Sequence, residues 1–125
     1  MDGNELAQAL ADRFRRMIPE GFEVWEEDGR VWYSAGFSSY WGGGRTGSFV
    51  RLNFDNDNGP VEARIQRIAE DTLNELQDFI DEESTEPWPG TRTVPRAQAE
   101  IRDGQLFLWF DDSGVVMLES EPIVL

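Results

Sequence analysis

Two stretches decide the fold of this chain: FEVWEEDGRVWYSA at residues 22–35 and QAEIRDGQLFLWF at residues 98–110. Each joins two segments of alternating apolar and polar residues through Asp-Gly, the dipeptide favoured in two-residue β-hairpin turns. Alternate residues of a strand point to opposite faces of a sheet, so each turn also fixes which side chains meet. The sequence therefore predicts two β-hairpins that turn at residues 28–29 and 103–104.

Pairing about these turns separates the tryptophans from the aliphatic residues. In the first hairpin Trp25 lies beside Trp32, and the aliphatic residues occupy the other face. In the second hairpin Phe107 and Trp109 share one face, with Arg102 near its end. A sheet face that is half aromatic and half charged suits contact with an external partner.

Two amphipathic helices precede the hairpins. Apolar residues at three- and four-residue spacing predict helices over 4–18 and 60–83, the second with a stripe running from Val61 to Ile80. A further strand follows each hairpin, at 48–54 and 115–121, which gives the order αβββαβββ. We therefore predict a single α+β domain over residues 1–125, with two layers: a mostly antiparallel sheet and both helices packed on one of its faces.

The candidate partner-binding residues are the aromatic and arginine side chains expected on the open face of that sheet and in the glycine-rich loop. The first choices are Trp25, Trp32, Phe107 and Trp109, and the second choices are Tyr40, Trp41 and Arg51. A cross-strand tryptophan pair also stabilises a hairpin by itself. Structural packing is therefore the alternative explanation for these residues.

The composition restricts the possible chemistry. The chain has 125 residues with no histidine and no cysteine, which removes the usual general base, the common nucleophile pairs and the main transition-metal ligands. The end glycines of residues 42–47 have the spacing of a phosphate-binding loop, but Ser48 and Phe49 follow where Lys and Ser or Thr are required. Residues 54–65 lack the first and last ligands of a calcium loop. We expect no catalytic residues, no cofactor and no metal.

The charge balance disfavours some classes of partner. A net charge of −14 repels nucleic acids and anionic membranes, and all 11 basic residues are arginine. A GC-rich genome or adaptation to salt explains the absence of lysine equally well. The acidic run at residues 81–83 lies at a helix C-terminus, where negative charge is unfavourable, and this hints at a basic partner. No signal peptide or membrane span is present, so we predict a cytoplasmic protein.

One part of the chain resembles known sequences. The segment LNELQDFI (Leu73–Ile80) followed by EPWP (Glu86–Pro89) is similar to small acidic proteins of high-GC actinobacteria, in which an L-Q-D helix precedes a W-P pair and an apolar hairpin. This resemblance implies a bacterial cytoplasmic origin and assigns no catalytic residue. The order of elements also resembles the type III secretion chaperone-like fold, whose members bind protein segments.

These observations favour a non-catalytic protein-binding module, of a chaperone-like or immunity type, whose partner is a protein with basic character. Self-association into a homodimer is an alternative use of the same aromatic residues. A different class of function is a small-molecule or carbohydrate binding protein, extending to a carboxylate-dependent hydrolase. That class would use the aromatic residues as a platform with Glu23, Glu27 or Glu100 nearby.

Overall fold

The computed structural model describes residues 1–35, 46–49, 60–84, 87–90 and 94–125. These residues form two helices and seven strands, which confirms the α+β class. In chain order the elements are α1 (Gly3–Arg15), β1 (Phe22–Glu27), β2 (Arg30–Ala35), β3 (Thr46–Phe49), α2 (Val61–Glu83), β4 (Arg96–Arg102), β5 (Gln105–Asp112), β6 (Val115–Glu119) and β7 (Ile123–Val124).

Both predicted hairpins form with the predicted register. Trp25 pairs with Trp32 across β1 and β2, and Ile101 pairs with Leu106 across β4 and β5. The turn residues Asp28 and Gly29 have φ of 54° and 72°, and the residues of the second turn have φ of 51° and 74°. Positive φ at both central positions is the type I′ geometry, whose twist matches that of the paired strands.

The first helix is shorter than predicted, because it ends at Arg15 rather than at residue 18. It begins with a capping box, in which the Asp2 carboxylate accepts the Glu5 N–H at 2.8 Å and the Glu5 carboxylate accepts the Asp2 N–H. The second helix ends at residue 83 as predicted, but Val61 is 51% exposed, so the buried stripe begins one turn later at Ile65.

The described strands belong to two antiparallel sheets rather than to the one sheet that was expected. The first sheet has the order β1-β2-β3, and the second contains β4, β5 and β6 in that order together with β7, which pairs with β5. Helix α1 packs on β1 and β2, whereas α2 packs on β4 and also contacts β2 and β5. The division follows from this arrangement, since each hairpin covers its apolar face with the helix that precedes it.

The last strands differ in detail from the prediction. Strand β6 ends at Glu119, and the chain then returns to the same edge of β5 as β7, where Ile123 pairs with Leu106. The register between β5 and β6 shifts after Phe110, which leaves Met117 as the extra residue of a β-bulge. Of the predicted strand over 48–54, β3 contains residues 48–49, and residues 50–54 lie outside the described part of the chain.

A single hydrophobic core joins both sheets to both helices. The Trp88 ring belongs to this core and meets Phe110 edge to face, with ring centroids 4.9 Å apart. Two hydrogen bonds from Gln77, which is 1% exposed, hold the segment around that tryptophan: its amide donates to the carbonyls of Trp88 at 3.2 Å and of Pro95 at 2.8 Å. Helix α2 therefore fixes the connection that leads into β4.

The C-terminal end of α1 binds the segment between β6 and β7. Arg13 donates from Nε to the Glu121 carbonyl and from a terminal nitrogen to the Pro122 carbonyl, both at 3.1 Å. The neighbouring Arg16 forms an ion pair with the Glu121 carboxylate at 3.0 Å, and both of those side chains are mostly exposed. The two arginines thus contact the same segment in different ways.

We expect Arg13→Gln to lower the free energy of unfolding by about 1–3 kcal/mol, because a charged donor to two backbone carbonyls is lost from a half-buried site. Arg16→Gln removes an exposed ion pair, and we expect a loss of about 0.5 kcal/mol or less. Urea denaturation of both variants measures the difference. Equal losses for the two variants would contradict the assignment of Arg13 as the anchor of this segment.

Candidate functional site

The outer face of the first hairpin carries the tryptophan pair. Trp25 and Trp32 are both half-buried, and the Trp32 indole N–H donates to the Glu27 carbonyl at 3.2 Å. The guanidinium carbon of Arg30 lies 4.2 Å from the centroid of the Trp32 ring, which is a cation–π contact. We call this surface the first aromatic face; its residues are Glu23, Trp25, Glu27, Arg30, Trp32 and Ser34.

Strand β3 pairs with β2 alongside the first aromatic face, and the residue of β3 opposite Trp32 is Gly47.

The outer face of the second hairpin repeats the arrangement. Phe107 and Trp109 are half-buried, and the guanidinium carbon of Arg102 lies 4.2 Å from the centroid of the Phe107 ring. Arg102 also approaches the Glu100 carboxylate at 3.5 Å. We call this surface the second aromatic face; its residues are Gln98, Glu100, Arg102, Gln105, Phe107 and Trp109.

The two faces share one chemical pattern: an arginine beside the turn lies over an aromatic ring on the same side of the hairpin. A guanidinium held over a ring remains charged, because arginine is not deprotonated in proteins. Each face therefore combines aromatic surface, a cation and one or more carboxylates on the same side of a hairpin. Sequence alternation places these residues together, but the stacking depends on side-chain conformations that it does not determine.

The predicted site residues are distributed as follows. Trp25 and Trp32 lie on the first sheet, and Phe107 and Trp109 lie on the second, so the four aromatic residues form two clusters on separate sheets. The second-choice residues Tyr40, Trp41 and Arg51 lie outside the described residues.

The acidic run at the end of α2 has an internal explanation for one of its members. The Asp81 carboxylate accepts the N–H of Trp88 at 2.7 Å, so it holds the start of the connection that covers the core. A basic partner is therefore not required to explain Asp81. Glu82 and Glu83 are exposed.

A pocket of about 590 Å³ adjoins the first aromatic face, and the sequence did not indicate it. It lies between the outer edge of β1 and the connection that follows α1. Within the described part of the chain its lining residues are Arg15, Ile18, Pro19, Glu20, Phe22, Glu23, Val24 and Trp25. Smaller pockets of about 440 and 320 Å³ lie on α1 and beside α2.

Comparisons with protein-family models, with curated proteins and with solved structures find no match to this chain. Across the described ranges, no group of three or more acidic side chains is arranged to hold a metal ion. In the same ranges, neither helix is both long and apolar enough to cross a membrane.

Proposed function

We propose that this chain is a non-catalytic protein-binding module of the bacterial cytoplasm, chaperone-like or immunity-like, that binds its partner through the two aromatic faces. The observation that carries the proposal is the repeated arginine–aromatic contact, Arg30 on Trp32 and Arg102 on Phe107. Tryptophan and arginine are enriched among the residues that dominate binding energy at protein interfaces. Half-buried rings in a fixed orientation also lose little side-chain freedom when a partner covers them.

The acidic surface supports a partner with basic character. The net charge of −14 raises the association rate of a cationic protein and disfavours an acidic one. The carboxylates of Glu23 and Glu27 belong to the first aromatic face, and that of Glu100 belongs to the second. Each face can therefore combine apolar contact with pairing of opposite charges.

Binding by the aromatic faces is tested by capture of a partner from a lysate of the native host, at low salt and at about 0.5 M salt. We expect wild type to retain a partner that the triple variant Trp25/Trp32/Trp109→Ser loses. Removal of a central anchor typically costs about 2 kcal/mol of binding or more. Weaker capture at high salt would indicate that the acidic surface contributes.

The matched control replaces two exposed apolar residues away from both faces, Val61 and Val94, with serine. We expect this control to keep the partner. Because loss of the tryptophan pair can weaken the first hairpin, the single variant Trp109→Arg provides a second test, since it replaces an aromatic ring with a flexible charged side chain at a half-buried position. Retention of the partner by both tryptophan variants would contradict the proposal.

A further inference from the structure

Strand β1 forms one edge of the first sheet. In a two-residue hairpin the residues that flank the turn form a hydrogen-bonded pair, and such pairs alternate with pairs whose backbone groups point outward. Glu27 and Arg30 flank the turn and form the first hydrogen-bonded pair. The alternation then makes the N–H and C=O groups of Val24 and Glu26 point away from β2. Arg15 confirms this direction at Val24, since its Nε donates to the Val24 carbonyl at 3.2 Å.

The edges of the second sheet are protected against another strand. At β4, the side-chain oxygen of Gln66 on α2 accepts the outward N–H of Ile101 at 3.1 Å. At β6, the bulge at Met117 interrupts the regular spacing that a pairing strand needs. Among the described residues, β1 has no pairing strand on its outer side, and the arginine that covers Val24 is mostly exposed. Such a side chain can rotate away from the carbonyl.

The pocket of about 590 Å³ lies along this outer edge. Ile18, Phe22 and Val24 supply apolar surface, and Trp25 lies on the opposite face of the same strand. A strand beside β1 would direct alternate side chains to these two sides. The edge therefore offers both backbone hydrogen bonds and places for side chains.

The charge around the edge identifies the kind of segment that fits. Glu20 and Glu23 line the pocket, and two more glutamates, Glu26 and Glu27, follow on β1. The cation among the described lining residues is Arg15, whose guanidinium lies 3.6 Å from the Asp12 carboxylate. A second copy of this chain would bring the same glutamates against them, whereas a cationic segment would be attracted.

We propose that the outer edge of β1 binds an extended, arginine- or lysine-rich segment of a partner protein, which adds to the sheet as a further strand. This mode of recognition uses backbone hydrogen bonds for affinity and side-chain pockets for specificity. The Arg15 side chain leaves the Val24 carbonyl, and the incoming strand donates an N–H in its place. The inference rests on the proposed function and specifies the form of the partner at the first aromatic face.

The probe is the blocked peptide Arg-Val-Arg-Val-Arg-Val-Arg, titrated against the full chain by calorimetry at concentrations up to about 1 mM. Two modified forms carry N-methyl groups on alternate residues, one on the valines and one on the internal arginines. Since alternate N–H groups of an added strand face β1, we expect one form to bind at least about tenfold more weakly and the other to bind nearly as well as the parent. Absence of binding by the parent peptide, or equal affinity of all three forms, would overturn the inference.

Charge variants supply the second measurement. Glu20→Arg combined with Glu23→Arg is expected to weaken binding of the parent peptide at least about tenfold at physiological salt. Glu82→Arg combined with Glu83→Arg changes the net charge equally at the exposed end of α2 and is expected to have little effect. Equal weakening by the two double variants would mean that overall charge alone attracts the peptide, against the inference.

The two proposals fail in distinguishable ways. Trp109 lies on the second sheet, away from the edge of β1. Failure of the peptide to bind, together with loss of the natural partner in Trp109→Arg, would overturn the strand-addition inference and leave the proposed function standing. The opposite result is that the peptide binds as expected while both tryptophan variants capture the partner as well as wild type does. That result would contradict binding through the aromatic faces and support binding at the edge of β1.

Discussion

Replacement of Phe110 by alanine is expected to lower the free energy of unfolding by about 3–5 kcal/mol. The Phe110 side chain is fully buried and meets the Trp88 ring edge to face. The loss combines the apolar surface removed with the cavity left between the second sheet and the segment around that tryptophan. A domain of this size has a total stability of about 5–15 kcal/mol, so this single change removes a large part of it.

The neighbouring outward residue provides the matched control. Phe107 lies three positions earlier on the opposite face of β5, and we expect Phe107→Ala to cost about 1 kcal/mol or less. If Phe110→Ala does not fold, Phe110→Leu, with an expected loss of about 1–2 kcal/mol, gives the same comparison. Urea denaturation followed by circular dichroism measures all three variants. A larger loss at Phe107 than at Phe110 would contradict the register of the second hairpin.

Gln77→Met is expected to destabilise the protein by about 2–4 kcal/mol although the two side chains have similar volumes. The amide of Gln77 donates to the buried carbonyls of Trp88 and Pro95, and each buried acceptor left without a donor costs about 1–3 kcal/mol. The segment leading into β4 would lose two of its hydrogen bonds to α2 and keep the one to Asp81, so we also expect faster proteolysis between residues 84 and 95.

The same chemical change at an exposed position serves as the control. Gln8 lies on the solvent side of α1, and we expect Gln8→Met to alter stability by no more than about 0.5 kcal/mol. Chemical denaturation and timed proteolysis measure the stability of both variants. The comparison separates the loss of the buried Gln77 hydrogen bonds from any general effect of replacing glutamine with methionine. A loss at Gln77 no larger than that at Gln8 would contradict the role assigned to the buried amide.

The fold class and both hairpins could be predicted because their determinants are local. Asp-Gly supplies two residues that tolerate positive φ, and once the turn is fixed the register of every pair follows. The same alternation correctly paired Trp25 with Trp32 and placed Trp109 on the opposite face from Leu108. The positions of these aromatic residues were therefore available from the sequence, whereas their function remains a prediction.

The remaining features depend on contacts between residues far apart in the chain. The alternation of apolar and polar residues shows which face of a strand is apolar, but it does not show which strands are neighbours. One sheet was therefore predicted, whereas the described strands form two sheets. In the sequence Gln77 is an ordinary polar residue of a helix. Its role becomes visible only with the positions of the two carbonyls to which its amide donates. The pocket beside Trp25 forms only when the connection after α1 packs against β1, and helical spacing contains no information about that packing.

The bonds from Arg13 to Glu121 and Pro122 have a consequence for the order of events during synthesis. They join residues separated by 108 and 109 positions, and the segment that they hold leads directly into β7. A nascent chain that has exposed α1 and the first hairpin cannot form these two bonds until residues 121 and 122 have been synthesised. Since contacts between distant residues slow folding, we expect the attachment of α1 to the C-terminal segment to be completed only after the chain leaves the ribosome.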